Sequence, residues 1–462
     1  MKNRIKAPML AVLATLALAG CDLLDVDNPN SLVEEDIRQA AVANGVANGS
    51  LRLVGRAISS VWQPYLVASD EIYWIGSRDA WFQLDQGFVR NPENEFTDGA
   101  FPELGRAVWM AREAVEILQG HVADNPGVDS FAKDLARAHM FYGMILMVTG
   151  EIQEDMTFSD KMEDGAPVGP AQMYTVLDDA IAQLSSAITG FSALGEDALE
   201  TTATALRARA YMSRAIWDEL NPTATVGGAL SWPQAYADAN TVLADVGGSG
   251  WQYDLKFSSS STSCGMCGWI NDRKENQIDL SLVTVDDSED INGIALADPI
   301  TGEDDLALIN RLNQWKGGNY LDSGNQYPPL TVVSERLLEL IVAEHELAGG
   351  NTGAFETAIN NIRALDYDAT VAGDGSCSGD DCFVSGGPVT DVAMLQHTRR
   401  VNALLMGLRL GDMYRWGLQP QGNPNVSWSP NSEAVLSPGE MLPITIIEVR
   451  ANCHLNGQGC GG

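Results

Sequence analysis

A chain of 462 residues is long enough for one large domain or for two or three ordinary ones. Its 28 Lys and Arg residues against 62 Asp and Glu residues give a net charge of −34 at pH 7, which argues against nucleic acids and anionic lipid surfaces as partners. Hydrophobic residues at 45% distinguish it from an acidic disordered tail and predict a globular protein.

The N-terminus has the pattern of an export signal. Three positive charges fall within the first six residues, and an almost wholly apolar run follows over residues 9–19. A membrane-spanning helix needs about 20 apolar residues, so this run is too short to span a bilayer. The pattern therefore predicts a signal peptide over residues 1–20.

A small-residue pair stands directly before the first cysteine, as Ala19-Gly20-Cys21. This resembles the bacterial lipobox, after which cleavage leaves the cysteine as an acylated N-terminus. The alternative is an ordinary secretory signal that happens to be cut near a cysteine. We expect a lipidated extended leader over residues 21–30 that tethers a soluble body, residues 31–462, to a membrane.

The six remaining cysteines form three close pairs in Gly- and Ser-rich segments. They are Cys264 with Cys267, Cys377 with Cys382, and Cys453 with Cys460. Since the signal places the chain outside the cytoplasm, where disulfides persist, we predict three local disulfides. A redox or zinc motif at the first pair is the alternative, but a second CxxC motif and a nearby His pair are both missing from the sequence.

Most of the chain has apolar residues at helical spacing with short breaks between segments. A capping-box pattern, Ser31 with Glu34, begins the first helix. Further helices are predicted over residues 102–118, 131–149, 170–188, 202–220, 232–246, 333–348 and 352–364, with a final helix over 392–416. Recurring helix pairs are typical of a tetratricopeptide-like solenoid, so the fold is predicted to be mainly α.

Three stretches interrupt the helical pattern. Residues 62–88 are rich in aromatic side chains, and residues 247–329 and 366–391 are loop-rich insertions with many Ser, Gly and Asp residues. Loops of this length in a compact protein are usually functional, and we expect residues 62–88 and 247–329 to form a binding face over the solenoid.

Charged residues recur three apart in the final predicted helix, at Arg409, Asp412 and Arg415. They lie on one helix face, and we predict structural ion pairs in preference to ligand contacts. Trp416 is predicted to anchor this helix in the core.

The segment HTRRVNALLMGLRLGDMYRWG, residues 397–417, resembles the signature of the SusD/RagB family of outer-membrane nutrient-uptake lipoproteins. The matching positions are Arg399, Arg400, Gly407, Arg409, Asp412, Arg415, Trp416 and Gly417. Residues 347–365 resemble the last helical repeat of that family, through Ile359, Asn360, Ile362 and Arg363. Residues 442–444 with Glu448 and Asn452 are similar to its closing segment. The C-terminal signature thus covers residues 331–462.

The resemblance implies a SusD-like α/α superhelix that captures a glycan, a peptide or another oligomeric nutrient. It also implies delivery to a TonB-dependent, SusC-like transporter, with the chain acting as its lid and its lipid anchor as the sole membrane contact. An outer-membrane location facing the exterior is implied as well, although Asp22 after the lipid cysteine favours inner-membrane retention in some bacteria.

Two other functions stay open at this point. One is a helical-repeat adaptor that holds envelope proteins without a small ligand, and the other is a surface hydrolase, since two carboxylates suffice for a glycosidase. Nucleophile-elbow, HExxH and Walker motifs are all missing from the sequence, and no histidines stand at metal-ligand spacing. We therefore expect no catalysis, cofactor or metal. The segment between Asp374 and Asp381 is better explained as an acidic turn than as a calcium loop.

Two segments carry the chemistry of sugar recognition, in which aromatic faces stack on sugars and polar groups bond at the rim. The predicted ligand-binding residues are Trp74, Arg78 and Trp81 in the first segment and Trp315 and Tyr320 in the second. Trp269, beside the pair formed by Cys264 and Cys267, is a further candidate. The alternative is that these aromatic residues only pack loops onto the solenoid.

Overall fold

The computed structural model describes residues 37–160, 163–322, 324–420 and 428–460. The signal peptide, Cys21, the leader and the Ser31 capping box lie outside these residues, and the proposed domain boundaries stay predictions. Within the described part of the chain, no helix is both long and apolar enough to cross a membrane.

The described residues form fifteen α-helices and eight short strands. The helices are α1 Ala43–Val67, α2 Asp79–Asp85, α3 Glu95–Asp124, α4 Asp129–Ile152, α5 Tyr174–Leu194, α6 Asp197–Leu220, α7 Pro233–Val246, α8 Gly265–Asn271, α9 Leu306–Lys316, α10 Glu335–Ala348, α11 Thr352–Arg363, α12 Asp391–Asn402, α13 Arg409–Trp416, α14 Glu433–Leu436 and α15 Ile446–Ala451. The strands are β1 Ile72–Trp74, β2 Gln252–Leu255, β3 Asn276–Ile278, β4 Val283–Val285, β5 Ile291–Ile294, β6 Leu330–Ser334, β7 Thr370–Val371 and β8 Cys377–Ser378.

The long helices pack in sequence order, which confirms the predicted mainly α solenoid. Helix α3 packs on α4, α4 on α5, α5 on α6 and α6 on α7, and α7 then packs on α10, which packs on α11. Helices α4 and α5 approach closely because small residues stand at their contact: a Cβ on Gly150 would lie 2.6 Å from Leu177 Cγ. Their apolar faces join one large core that also covers α1.

The predicted loop segments contain more regular structure than expected. Residues 62–67 belong to α1, and Trp62 is fully buried in the core, so the binding face cannot begin there. The insertion at residues 247–329 contains β2 to β5, α8 and α9. Its apolar residues are too widely spaced for a long amphipathic helix, but pairs such as Met266 and Ile270 are enough to seat short elements on the solenoid.

All eight strands pair antiparallel in twos: β1 with β3, β2 with β6, β4 with β5 and β7 with β8. The β1–β3 pair joins Ile72 to Ile278, and the β2–β6 pair joins Leu255 to Leu330. These pairs connect the insertion to the N-terminal part of the chain and to the start of α10.

The three predicted cysteine pairs are all disulfides. Cys264 is bonded to Cys267 at the start of α8, and Cys453 is bonded to Cys460 after α15. In the second insertion, Cys377 of β8 is bonded to Cys382, with their Cα atoms 6.0 Å apart. Each bond closes a loop of a few residues, so the prediction of local disulfides is confirmed. Because Cys264 and Cys267 are bonded to each other, they offer no thiolate to a zinc ion.

The predicted final helix over residues 392–416 is wrong in one respect, because it is two helices. Between α12 and α13 the chain turns, with Leu405 and Gly407 at φ 59° and 69°. A Cβ on Gly407 would lie 2.5 Å from Trp62 Nε1, so only glycine fits there. The residues from Ala403 to Leu408 are apolar and buried, so their pattern could not distinguish a turn from a helix.

Ion pairs are present at the predicted charged positions, and the side chains that form them are buried. Arg415 donates to both oxygens of Glu344, at 2.5 and 3.0 Å, and its Nε donates to Asp412 at 2.8 Å. Arg399 donates to the other oxygen of Asp412 at 2.6 Å. Burial alone would raise the pKa of Asp412, but the two guanidinium groups lower it below its usual range. We call Glu344, Arg399, Asp412 and Arg415 the buried charge cluster.

Replacing Glu344 by alanine should destabilise the protein by about 3 to 5 kcal/mol, because two buried guanidinium groups would then share one carboxylate. The free energy of unfolding, measured by urea titration, checks this. Glu93→Ala is the control, since it removes a carboxylate from an exposed ion pair with Arg450 and should cost under about 1 kcal/mol. Equal effects of the two substitutions would contradict a structural role for the cluster.

Candidate functional site

Five aromatic side chains from four separate elements form two contacting groups, which are linked through the adjacent residues Trp81 and Phe82. We call them the aromatic cluster: Trp74, Trp81, Phe82, Phe96 and Trp269. They come from β1, α2, the first turn of α3 and α8.

The rings contact one another in stacked, edge-on and tilted arrangements. Trp81 stacks on Phe96 with ring centroids 3.5 Å apart and planes within 5°. Trp269 meets both rings edge-on, at 5.8 Å from Trp81 and 5.3 Å from Phe96. Trp74 lies 5.1 Å from Phe82. Trp81 is 1% exposed, whereas the other four rings are half-buried, so the cluster has a buried base and an accessible outer part.

Two exposed arginine residues border the cluster. The Arg78 guanidinium lies 5.5 Å from the ring centre of Trp269 and 6.0 Å from that of Phe96, and it also pairs with Glu95. Arg273 lies 4.6 Å from the Trp269 ring centre. Both are within cation–π range and keep N–H groups that can donate to a ligand oxygen.

Backbone hydrogen bonds fix the loop between β1 and α2. The N–H groups of Ile75 and Gly76 donate to Glu275 O, at 3.1 and 3.2 Å. The Glu275 carboxylate accepts from the Ser77 N–H at 2.9 Å. This pairing holds the loop that carries Arg78 beside the segment that follows Trp269.

Helix α8 is fixed at its start. The disulfide between Cys264 and Cys267 lies there, and the Gly265 N–H donates to Ser59 Oγ of α1 at 3.1 Å. Trp269 is therefore presented by a short helix that is connected to the core at one end. The disulfide between Cys377 and Cys382 and that between Cys453 and Cys460 bond residues outside the aromatic cluster.

The second predicted segment reaches α8 from the opposite end. Asn271 donates through Nδ2 to Asn325 O at 2.7 Å, which joins α8 to the loop after α9. Tyr320 lies in this loop, half-buried, with its N–H donating to Asn313 Oδ1 at 2.8 Å. Trp315 is 4% exposed, and its Nε1 has no hydrogen-bond partner among the described residues. Helix α8 thus contacts the first predicted segment through Trp269, and through Asn271 it contacts the loop after the second.

Solved structures with the same architecture exist. A SusD superfamily protein from Bacteroides thetaiotaomicron has a TM-score of 0.60, 13% identity and coverage of 89% of this chain and 98% of its own. One from Bacteroides fragilis has a TM-score of 0.59 and 12% identity, covering 90% and 98%. A SusD-like carbohydrate binding protein from Bacteroides vulgatus has a TM-score of 0.56 and 11% identity, covering 91% and 98%. The chain has the SusD fold.

No family model and no curated protein matches the sequence. The similarity to these solved structures is therefore one of backbone fold. It extends over almost their whole length, while the sequences are only 11–13% identical.

On this SusD-like scaffold the five predicted binding residues differ in what they can offer. Trp81 and Trp315 are buried and present almost no ring surface to solvent. Trp74 and Tyr320 are half-buried, and Arg78 is exposed. Their role in ligand binding stays a prediction, with the accessible surface concentrated around Trp269, Trp74 and Arg78.

The interpretation of the sequence missed Phe96 and Arg273. Phe96 lies in the first turn of α3, where Asn94 caps the helix by accepting from the N–H groups of Phe96 and Thr97. The helix was predicted to begin near residue 102, so this turn was not considered, although Asn followed by Glu95 is a recognisable start signal. No local pattern points to Arg273, whose position depends on the turn after α8.

Two groups of described residues have the ligand types of a metal site. In one of them Cys453 and Cys460 are joined in a disulfide, so only His454 remains. The other group consists of Asp298, Asp305 and His397. Asp298 already accepts a hydrogen bond from Arg363 at 2.7 Å, and Asp305 accepts one from His397 at 2.7 Å. In the acidic turn, Asp374 accepts from Ser376 Oγ at 2.6 Å. None of these arrangements points to a metal.

Buried carboxyl groups lie next to β1, behind the cluster. Burial raises the pKa of Glu71 to about 8 and that of Asp279 to about 6, and Asp70 adds to both shifts. Burial also raises the pKa of Asp85, which accepts from the Trp74 N–H at 3.0 Å. These groups are close to the site but covered by it, so they are suited to structure and not to ligand contact.

Replacing Glu71 by glutamine should make stability less dependent on pH. In the unfolded chain this carboxyl ionises near pH 4.5, whereas in the folded chain it keeps its proton to about pH 8. The unfolded state therefore binds fewer protons between these values, and stability falls as pH rises through that window. In wild type this carboxyl group lowers the free energy of unfolding by up to ~1.4 kcal/mol for each pH unit in the window, and the variant should lack this contribution.

Urea titrations at several pH values between 5 and 8.5 measure the slope. Glu93→Gln, at an exposed carboxylate, is the control and should keep the wild-type slope. An unchanged slope in Glu71→Gln would show that Glu71 is ionised in the folded protein.

Proposed function

We propose that the chain is a surface nutrient-binding lipoprotein that captures a glycan at the aromatic cluster. The observation that carries the proposal is the half-buried Trp269 ring, which packs against Trp81 and Phe96 beneath two exposed guanidinium groups. The SusD fold supports it, because one protein with this fold is described as a SusD-like carbohydrate binding protein.

The chemistry of the cluster suits a sugar. Pyranose rings have an apolar face that stacks on aromatic rings, and their hydroxyl groups accept from N–H donors at the edge. Trp269 and Trp74 would supply ring faces, and Arg78 and Arg273 would supply donors. The buried pair of Trp81 and Phe96 would hold Trp269 in place, which lowers the entropy that binding has to overcome.

Binding, not catalysis, is the proposed activity. Two acidic groups near the cluster, Asp85 and Glu71, are 4% and 1% exposed, and the exposed Glu95 beside Phe96 is already paired with Arg78. A glycosidase needs two carboxyl groups that flank the scissile bond, which this arrangement does not offer.

The partner and location follow from the same proposal. The chain would be anchored in the outer membrane through the lipidated Cys21 and face the exterior. It would deliver its nutrient to a TonB-dependent, SusC-like transporter and act as the lid of that transporter. The fold and the export signal support this part of the proposal.

Replacing Trp269 by alanine should weaken glycan binding at least tenfold, because truncating a tryptophan that anchors a binding interface typically costs about 2 kcal/mol or more. A glycan array probed with the purified wild-type chain would first identify the ligand, and calorimetry would then give the dissociation constants of the variants.

Trp217→Ala is the matched control, since Trp217 is a half-buried tryptophan of α6 outside the cluster and beside Tyr174. It should bind the same glycan with wild-type affinity. If Trp269→Ala folds normally and keeps full affinity, the cluster is not the binding site, and if no glycan binds the wild-type chain, the adaptor function gains support.

A further inference from the structure

An open groove lies apart from the aromatic cluster and shares no residue with it. Helix α10 forms its floor, because α10 packs on both α7 and α11, which form the walls. The groove has a volume of about 850 Å³, within the range of small-ligand sites. Strand β7 closes one end through Thr370 and Val371.

One face of each helix lines this groove, and seven of the lining residues are alanine or glycine. Ala354 and Ala358 of α11 stand four residues apart on one helix face, and Ala244 of α7 lies on the other wall. The small side chains on both walls do not fill the space between the helices, and the groove therefore stays open.

The charge in the groove has one sign. Glu339 and Glu346 from α10 line it, and of the described residues that line it none is Lys, Arg or His. Glu346 is already bonded, since it accepts from Tyr236 Oη at 2.6 Å and from Asn351 Nδ2 at 2.9 Å. Glu339 differs from it in both burial and bonding.

Glu339 is 6% exposed and accepts one hydrogen bond at Oε1, from Asn361 Nδ2 at 2.9 Å. In the described part of the chain, no second hydrogen-bond donor and no cation acts on this carboxyl group. Glu335, one turn earlier, is instead stabilised by the N–H groups of Gly248, Gly250 and Trp251. A buried carboxyl group that faces an open groove without a counter-charge tends to keep its proton until a cation arrives to pair with it.

We propose that this groove binds an alkylammonium group, with Glu339 as its counter-ion. A lysine side chain of a peptide and a polyamine both carry this group, which is narrow enough to pass between the alanine-lined walls. The net charge of −34 would draw such cations toward the surface.

Protonation supports the assignment. Burial raises the pKa of Glu339 to about 8, and Glu335 adds to the shift. The other titratable groups that face Glu339 are Glu346 of α10 and Tyr236 of α7, while the lining residues of α11 and β7 carry none. At pH 7 the Glu339 carboxyl group is therefore mostly protonated, and an arriving ammonium group would displace the proton.

Calorimetry with the full mature chain tests the proposal, with N-acetylated tri-lysine and spermidine as two separate probes. Tri-lysine acetylated at every side chain is the neutral control ligand. We expect at least one cationic probe to bind, the neutral ligand to bind at least tenfold more weakly, and affinity to rise severalfold between pH 6 and pH 8 with release of a proton. Which probe binds more tightly distinguishes a peptide from a polyamine.

Glu339→Gln is the decisive variant, because glutamine can still accept from Asn361 but cannot pair with a cation. It should weaken binding at least tenfold with an unchanged melting temperature at pH 7. Glu116→Gln, at an exposed carboxylate of α3, removes the same charge and should bind like the wild type. The proposal is overturned if neither cation binds, or if Glu339→Gln or the neutral ligand matches the wild-type affinity for the cation.

Discussion

Arg399 and Arg415 share Asp412 and reach Glu344 in a part of the core where none of the four side chains is more than 3% exposed. Removing such charges from water is costly, and the cost is offset only while every partner is present in good geometry. The C-terminal helices are thereby joined to α10. A second pair, Arg409 with both oxygens of Asp70, joins them to the segment just before β1. The same few carboxylates therefore fix how three distant parts of the chain meet.

The candidate site depends on this arrangement. Asp70 and Glu71 come directly before β1, and Glu71 accepts from the Leu405 N–H in the turn between α12 and α13 at 3.2 Å. Strand β1 carries Trp74, and its pairing with β3 places the Glu275 segment beside the loop that carries Arg78. Helix α8 then adds Trp269 from a disulfide-bonded turn. The solenoid supplies rigidity and the insertion supplies the ring surfaces, which is how a helical repeat fold can present a binding face.

The regular part of this architecture could be predicted from the sequence, and the long-range part could not. Helices such as α4 and α10 follow directly from apolar residues at helical spacing, within a few residues of the observed bounds. The turn at Leu405 and Gly407 was missed because the surrounding run is apolar on all sides. At the site, the grouping of aromatic residues near residues 74–82 was visible, but their burial was not. Trp81 is the buried ring and Trp269 the accessible one because both contact Phe96. Phe96 is distant in sequence from Trp269, and it lies in a turn that was not predicted to be helical.

The measurement that tests the central claim most directly is a purification of the full-length lipoprotein from native membranes in mild detergent, with mass spectrometry of the proteins that come with it. A nutrient-capture role predicts a TonB-dependent barrel in stoichiometric amount, with bound glycan retained by the wild-type chain and lost from Trp269→Ala. Recovery of other envelope proteins without any barrel would contradict the account and indicate an adaptor.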